Sequence, residues 1–204
     1  NNLDPSPAEY GWTVDTAAPE IIIANQPADF ASSTAADFVF NSSESNSSFA
    51  CDLDADGWPD CLSPKSYENL RPGEHSFKVK ARDGAGNVSL APAEFSWVID
   101  LSEPRLTVII GPPDISSSTA ANFQFTSGED DIIYRCRLDE NPWQSCSAST
   151  TASDLLEGRH NFEMKAADRA GNTGSSTAAS WLVDLTAPTS TVASLAATYE
   201  TTGF

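Results

Sequence analysis

Asp52, Asp54 and Asp56 place a carboxylate at every second position, and Gly57 and Asp60 follow. Calcium takes six to eight hard oxygens, and a tight loop can deliver several of them; this spacing matches the opening of an EF-hand loop. The twelfth position, where such a loop carries a bidentate acid, falls on Ser63. The competing reading is a hairpin turn in which Asp and Gly supply the turn conformations. The only two histidines, His75 and His160, stand at equivalent positions of two repeats and so cannot share one domain's site. A nucleophilic cysteine would need a nearby histidine and an unpaired thiol.

The four cysteines argue against such a thiol. They fall as Cys51/Cys61 and Cys136/Cys146, the same spacing twice. Zinc sites favour closer pairs with further ligands nearby, and that pattern is absent. A pair with a turn between its members fits a disulfide across a hairpin, with two free buried thiols as the alternative. A short closed loop of this kind stabilises by about 2–3 kcal/mol. It also implies an oxidising compartment, secreted or at the cell surface.

What positions these residues is a duplicated sequence. Phe38, Phe40, Cys51, Leu53, Asp54, Trp58, Cys61, Gly73, His75, Phe77, Lys80, Asp83, Gly86 and Asn87 recur 85 positions on. Their partners are Phe123, Phe125, Cys136, Leu138, Asp139, Trp143, Cys146, Gly158, His160, Phe162, Lys165, Asp168, Gly171 and Asn172. A period this long marks a whole domain rather than a solenoid unit. Duplicated residues usually serve a fold, whereas a catalytic site is usually unique. Within each copy the pattern has period two: Phe77, Val79 and Ala81 alternate with Ser76, Lys78 and Lys80. That is the signature of half-buried strands. Strands are expected near 20–25, 36–42, 47–54, 57–62, 65–69, 74–83 and 93–100, and again 85 later. Seven short strands in so few residues give an all-β, antiparallel sandwich with Greek-key wiring.

The ends carry the same phrase. Tyr10, Trp12 and Asp15 match Phe95, Trp97 and Asp100, then Ala179, Trp181 and Asp184, with Pro19, Pro104 and Pro188 each four residues beyond the Asp. The expected organisation is therefore the last strand of a preceding domain over 1–16, complete domains over 17–100 and 101–184, and the start of another over 185–204. The tryptophans of this phrase are expected in the core or at a junction. Trp58 and Trp143 are expected over the disulfides, with a sugar-stacking platform as the other reading.

The run from Phe49, Cys51, Asp52 and Asp54 through Trp58, Cys61 and Pro64 to Leu70, Gly73, His75, Lys80, Asp83, Gly86 and Asn87 resembles the bacterial immunoglobulin-like repeats of large secreted and cell-surface, adhesin-type proteins. The link from Val14 to Pro19 is similar to their usual junction. The resemblance covers both copies and implies tandem seven-stranded immunoglobulin-like or fibronectin-III-like β-sandwiches. Its modules serve as adhesins, matrix components or spacers, so the implied function is a non-catalytic stalk or spacer in a long array. The similar modules often stiffen junctions with calcium. In a sandwich the turn between the last two strands lies at the end where the chain enters, which brings Asp83 and Asn87 towards Asp15, and Asp168 and Asn172 towards Asp100 and Glu103. No cofactor is required; calcium is a candidate either at the junctions or at the turn of Asp52, Asp54, Asp56 and Asp60, and the competing reading of the junctions is an Asx-turn at Asp83, a positive φ at Gly86 and a linker Asp that caps backbone amides. The expected partners are neighbouring immunoglobulin-like domains of the same or an adjacent chain, and a cell-surface or glycan ligand.

Two other readings stand beside this one. The unpaired end segments could complete a neighbouring molecule by strand addition and build a filament. Alternatively, Trp58 and Trp143 could bind polysaccharide as the accessory region of a secreted hydrolase. Charge excludes more than it selects. With 11 basic and 29 acidic residues and a formal net charge of −18, the chain is unsuited to nucleic acid or to anionic membrane surfaces. No apolar run is long enough to span a membrane.

Overall fold

The computed structural model describes residues 8–191. Two pairs of sheets account for all of the regular structure among them, and no helix is present. None of the described chain is therefore a helix long and apolar enough to cross a membrane.

The first pair comprises β1 (Ile21–Asn25), β2 (Phe30–Ala31), β3 (Ala36–Ser42), β4 (Ser48–Leu53), β5 (Asp60–Cys61), β6 (Lys65–Tyr67), β7 (Gly73–Arg82) and β8 (Ala93–Ile99). One sheet has the order β1-β3-β6 and the other β2-β8-β7-β4-β5. The chain visits the second sheet briefly at β2, returns for β3, changes sheets again between β3 and β4, returns between β5 and β6, and crosses once more between β6 and β7. This is the wiring of an immunoglobulin-like or fibronectin-III-like sandwich. The second pair repeats it with β9 (Thr107–Ile110), β10 (Ile115–Ser116), β11 (Ala121–Thr126), β12 (Ile133–Leu138), β13 (Gln144–Cys146), β14 (Ser149–Ala152), β15 (Gly158–Ala167) and β16 (Thr177–Val183). Its sheets run β14-β11-β9 and β10-β16-β15-β12-β13.

The strands follow the alternation of the sequence. Phe38 and Phe40 of β3 point inward and meet Phe77 and Val79 of β7 and Trp97 of β8 in one apolar cluster. Phe38 stacks on Phe77 with ring centroids 4.0 Å apart. Phe123 stacks on Phe162 at 4.1 Å in the second cluster. Each sheet pair thus closes on a core of aromatic rings, whose burial is the main favourable term in folding.

Two differences from the sequence expectation stand out. Each sandwich has an eighth strand, β2 or β10, which pairs parallel with β8 or β16. A two-residue strand has no period to read, so alternation is blind to it. In addition, the described residues 8–15 form no strand: Trp12 is 76% exposed, whereas Trp97 and Trp181 are each 2% exposed. Trp97 is buried because β7 pairs with β8 and places His75 opposite it. Among the described residues no strand pairs with Tyr10–Asp15. The described chain after Asp184 likewise forms no strand, and positions 192–204 lie outside the described residues.

By proximity the described chain forms two compact units. The first runs to Arg105 and takes in Ser127–Ile133 and Ala166–Ser175; the second is Leu106–Thr126, Tyr134–Lys165 and the described chain from Ser176.

Candidate functional site

The turn between β7 and β8 is built on a carboxylate. Asp83 accepts hydrogen bonds from the Gly86 amide at 2.6 Å, the Asn87 amide at 2.8 Å and Asn87 Nδ2 at 2.8 Å. Gly86 takes φ 100°, a conformation that favours glycine. Burial raises the pKa of Asp83, but the hydrogen bonds from Asn87, Gly86 and Ala85 outweigh it and hold the carboxyl below its ordinary value. Asn87 Nδ2 also donates to the Asp15 carbonyl at 3.1 Å, which ties the entering segment to the turn. Asp15 caps that segment, its Oδ1 accepting from the Ala17 amide at 3.0 Å.

The structure brings Asp15, Asp83 and Asn87 together, with a fourth member that the sequence expectation lacked. Glu44, in the turn between β3 and β4, brings a carboxylate oxygen to the same point. One ligand atom from each of Asp15, Glu44 and Asp83 lies within 4.8 Å of the others. Partial desolvation, then the charges of Asp15 and Asp83, raise the pKa of Glu44. A sequence signal for Glu44 existed: it too is duplicated, as Glu129, 85 positions on. Hard carboxylate oxygens gathered this way suit calcium or magnesium rather than soft-ligand metals.

The corresponding turn of the second sandwich keeps the scaffold. Asn172 Nδ2 donates to the Asp100 carbonyl and to Asp168 Oδ2, each at 2.8 Å. Glu103 is exposed. The acids of this turn do not converge within the same reach, since the one such group among the described residues is at Asp15, Glu44 and Asp83. The neighbourhood also differs in charge: Arg169 stands where the first copy has Gly84, and Arg169 lies 3.7 Å from Asp131.

The Asp-rich turn does not gather its carboxylates either. Asp52 Oδ1 accepts from the Gly57 amide at 3.1 Å. Asp54 turns one oxygen to the Ser76 amide at 2.8 Å and the other to His75 Nδ1 at 2.7 Å. Asp56 and Asp60 are exposed. Asp54 and Ala55 adopt positive φ, which is hairpin-turn geometry.

The remaining duplicated residues are absorbed into the sandwiches. Both disulfides are formed, Cys51–Cys61 and Cys136–Cys146, with Cα atoms 5.8 and 5.9 Å apart. Lys80 Nζ sits 3.9 Å from the centroid of Trp58. Lys165 Nζ and Arg137 Cζ lie 4.6 and 4.9 Å from that of Trp143. These cation–π contacts are within the range that attracts, and they were signalled by the duplication of Lys80 as Lys165. A groove of about 530 Å³ over His75 is lined by Ser76 and Ser96, yet both imidazole nitrogens are taken by Asp54 and the Arg71 carbonyl. Neither is left to activate a hydroxyl.

The fold and its turns thus define an all-β protein of immunoglobulin-like, fibronectin-III-like sandwiches. No protein-family model and no curated protein matches the chain. Among solved structures it is similar to the fibronectin(III)-like modules of Clostridium thermocellum CbhA, at 12% identity over 80% of this chain and 94% of that one, with a TM-score of 0.49. It is also similar to the FN1–FN3 domains of chicken CNTN1, at 14% identity over 81% of this chain and 65% of that one, with a TM-score of 0.43.

Proposed function

We propose that the chain is a non-catalytic structural module of an extracellular protein, working as part of a stalk or spacer. One observation carries this reading: the residues able to do chemistry are used inside the fold. The cysteines are paired, the histidines hold loops and the tryptophans are buried or capped by cations, apart from Trp12. Two disulfides agree with an oxidising environment. A stapled sandwich resists extension because its strands must part together.

Calcium belongs to the same proposal, at the entry to the first sandwich. Asp15, Glu44 and Asp83 would hold it, with the Asp83 turn keeping its own carboxylate in place. The acids at the second entry do not converge in this way among the described residues, so one ion per chain is expected, not two. Titration calorimetry of the full chain tests this. A single saturable site that Glu44→Gln removes is the expected result; no heat, or binding indifferent to Glu44→Gln, overturns the calcium reading while leaving the structural one standing. Scattering over a concentration series separates spacer from filament: a particle of constant length supports the spacer.

A further inference from the structure

Each imidazole of this protein sits between two acceptors. His75 Nδ1 lies 2.7 Å from Asp54 Oδ2, and its Nε2 lies 2.7 Å from the Arg71 carbonyl oxygen. His160 repeats the arrangement at 3.0 Å to Asp139 Oδ2 and 2.9 Å to the Leu156 carbonyl. The side chains are only 9% and 11% exposed, and they pack against Trp97 and Trp181. A carboxylate and a carbonyl only accept, so both ring nitrogens must donate, and only the imidazolium has two N–H groups. The neutral ring satisfies one acceptor and abandons the other.

We infer that His75 and His160 are a matched pair of proton-operated clasps. Each is closed while the ring carries two protons. It then ties the turn after β4 or β12 to the loop before β7 or β15. Loss of one proton opens one side of the clasp and frees that loop or turn.

The surrounding charges support the closed form. Facing His75 are Asp54 from the turn after β4, Asp29 from the segment before β2, and Glu74 from its own strand. The elements facing it from β8 contribute Ser96, Trp97 and Val98, none of them charged. Facing His160 are Asp139 and Glu140 from the turn after β12, Arg137 from β12, and Arg159 and Glu163 from its own strand. Arg137 and Glu163 neutralise each other through two contacts of 3.0 and 2.9 Å. For His75, burial is the largest single effect and lowers the pKa, but the Arg71 carbonyl and Asp54 together overcome it, so the result lies above the ordinary 6.5. For His160 the Leu156 carbonyl leads, burial opposes it and Asp139 adds to it, again with a result above 6.5.

The sign follows from the raised values. The stabilisation is fully present below pH 6.5, the value of an unfolded histidine, and fades as pH rises through the folded pKa. The test uses the full chain with its disulfides intact. The imidazole resonances are followed by NMR from pH 5 to 9, together with hydrogen exchange on both sides of each clasp: the Ser76 and Asn161 amides, which donate to the clasping carboxylates, and the Leu70 and Leu155 amides, which hold the loops that carry the clasping carbonyls. Both rings should titrate above 6.5. On the side of each clasp that opens, exchange corrected for intrinsic pH dependence should quicken roughly tenfold across the transition, as expected when one buried hydrogen bond is lost. Asp139→Asn should lower the His160 midpoint and leave that of His75 unchanged. Midpoints at or below 6.5, or corrected exchange that stays flat on both sides through the titration, overturn the inference; the first readout needs no variant and so cannot be lost to misfolding.

Discussion

Reducing the disulfides without deleting an atom should weaken each sandwich by a calculable amount. The Cys51–Cys61 bond closes a loop with a sequence separation of 10, and Cys136–Cys146 closes another of the same size. On the chain-entropy model such a loop removes about 9 cal/mol/K from the unfolded ensemble, or about 2.7 kcal/mol at 25 °C. A sandwich of this size has a total stability of about 4–13 kcal/mol. The staple is therefore a substantial fraction of the total, and the reduced sandwich is expected to stay folded. With a urea dependence of about 1–1.5 kcal/mol/M, the midpoint should fall by roughly 2–3 M. The assay is equilibrium urea unfolding in the presence and absence of a phosphine reductant, read by the fluorescence of buried Trp97 and Trp181. The double substitution Cys51→Ala with Cys61→Ala then moves one transition and leaves the other. A midpoint shift worth less than about 1 kcal/mol would refute the reasoning. It would mean that the turns from Asp54 to Asp60 and from Asp139 to Gln144 restrict the unfolded chain almost as well without the bond.

Four further substitutions probe packing in the cores and at the turns. Phe38→Ala and Phe123→Ala each remove a ring stacked at the centre of its core and should cost about 3–5 kcal/mol in urea unfolding. Gly174→Ser should destabilise by about 1–3 kcal/mol, because a Cβ there meets the Pro104 carbonyl. The equivalent position in the first copy is Ser89, which is buried and accepts a hydrogen bond from the Ala81 amide. Ser89→Gly should therefore also weaken the fold, and the two positions should not be interchangeable.

Alternation and duplication made seven of the eight strands of each sandwich legible, although the strand expected near 57–62 is only Asp60–Cys61. Phe38 and Phe40, Phe77 and Val79 declare an inward face because a strand's side chains alternate strictly. The disulfides were legible because the same spacing occurs twice. The site was legible only where it is local. Asp83 and Asn87 signal their turn through spacing, and the Asp15 contact follows from where a sandwich admits its chain. Glu44 comes from a separate turn, and nothing in its neighbours announces that it reaches Asp83. The histidine clasps were hidden for a related reason. Their second acceptors are backbone carbonyls of Arg71 and Leu156, and every residue type offers a carbonyl. The exposure of Trp12 was also hidden, since a strand motif describes a preference and a partner strand must be present for it to be buried.

Pulling single chains from their ends tests the structural role most directly. Two discrete unfolding events are expected in oxidising buffer, one for each stapled sandwich. On reduction each event should lengthen by about 30 Å, the roughly 36 Å reach of the 10 residues that each disulfide hides less the 5.8–5.9 Å that the bond already spans. Smooth extension without discrete events, or event lengths indifferent to reductant, would contradict a mechanically resistant, stapled module.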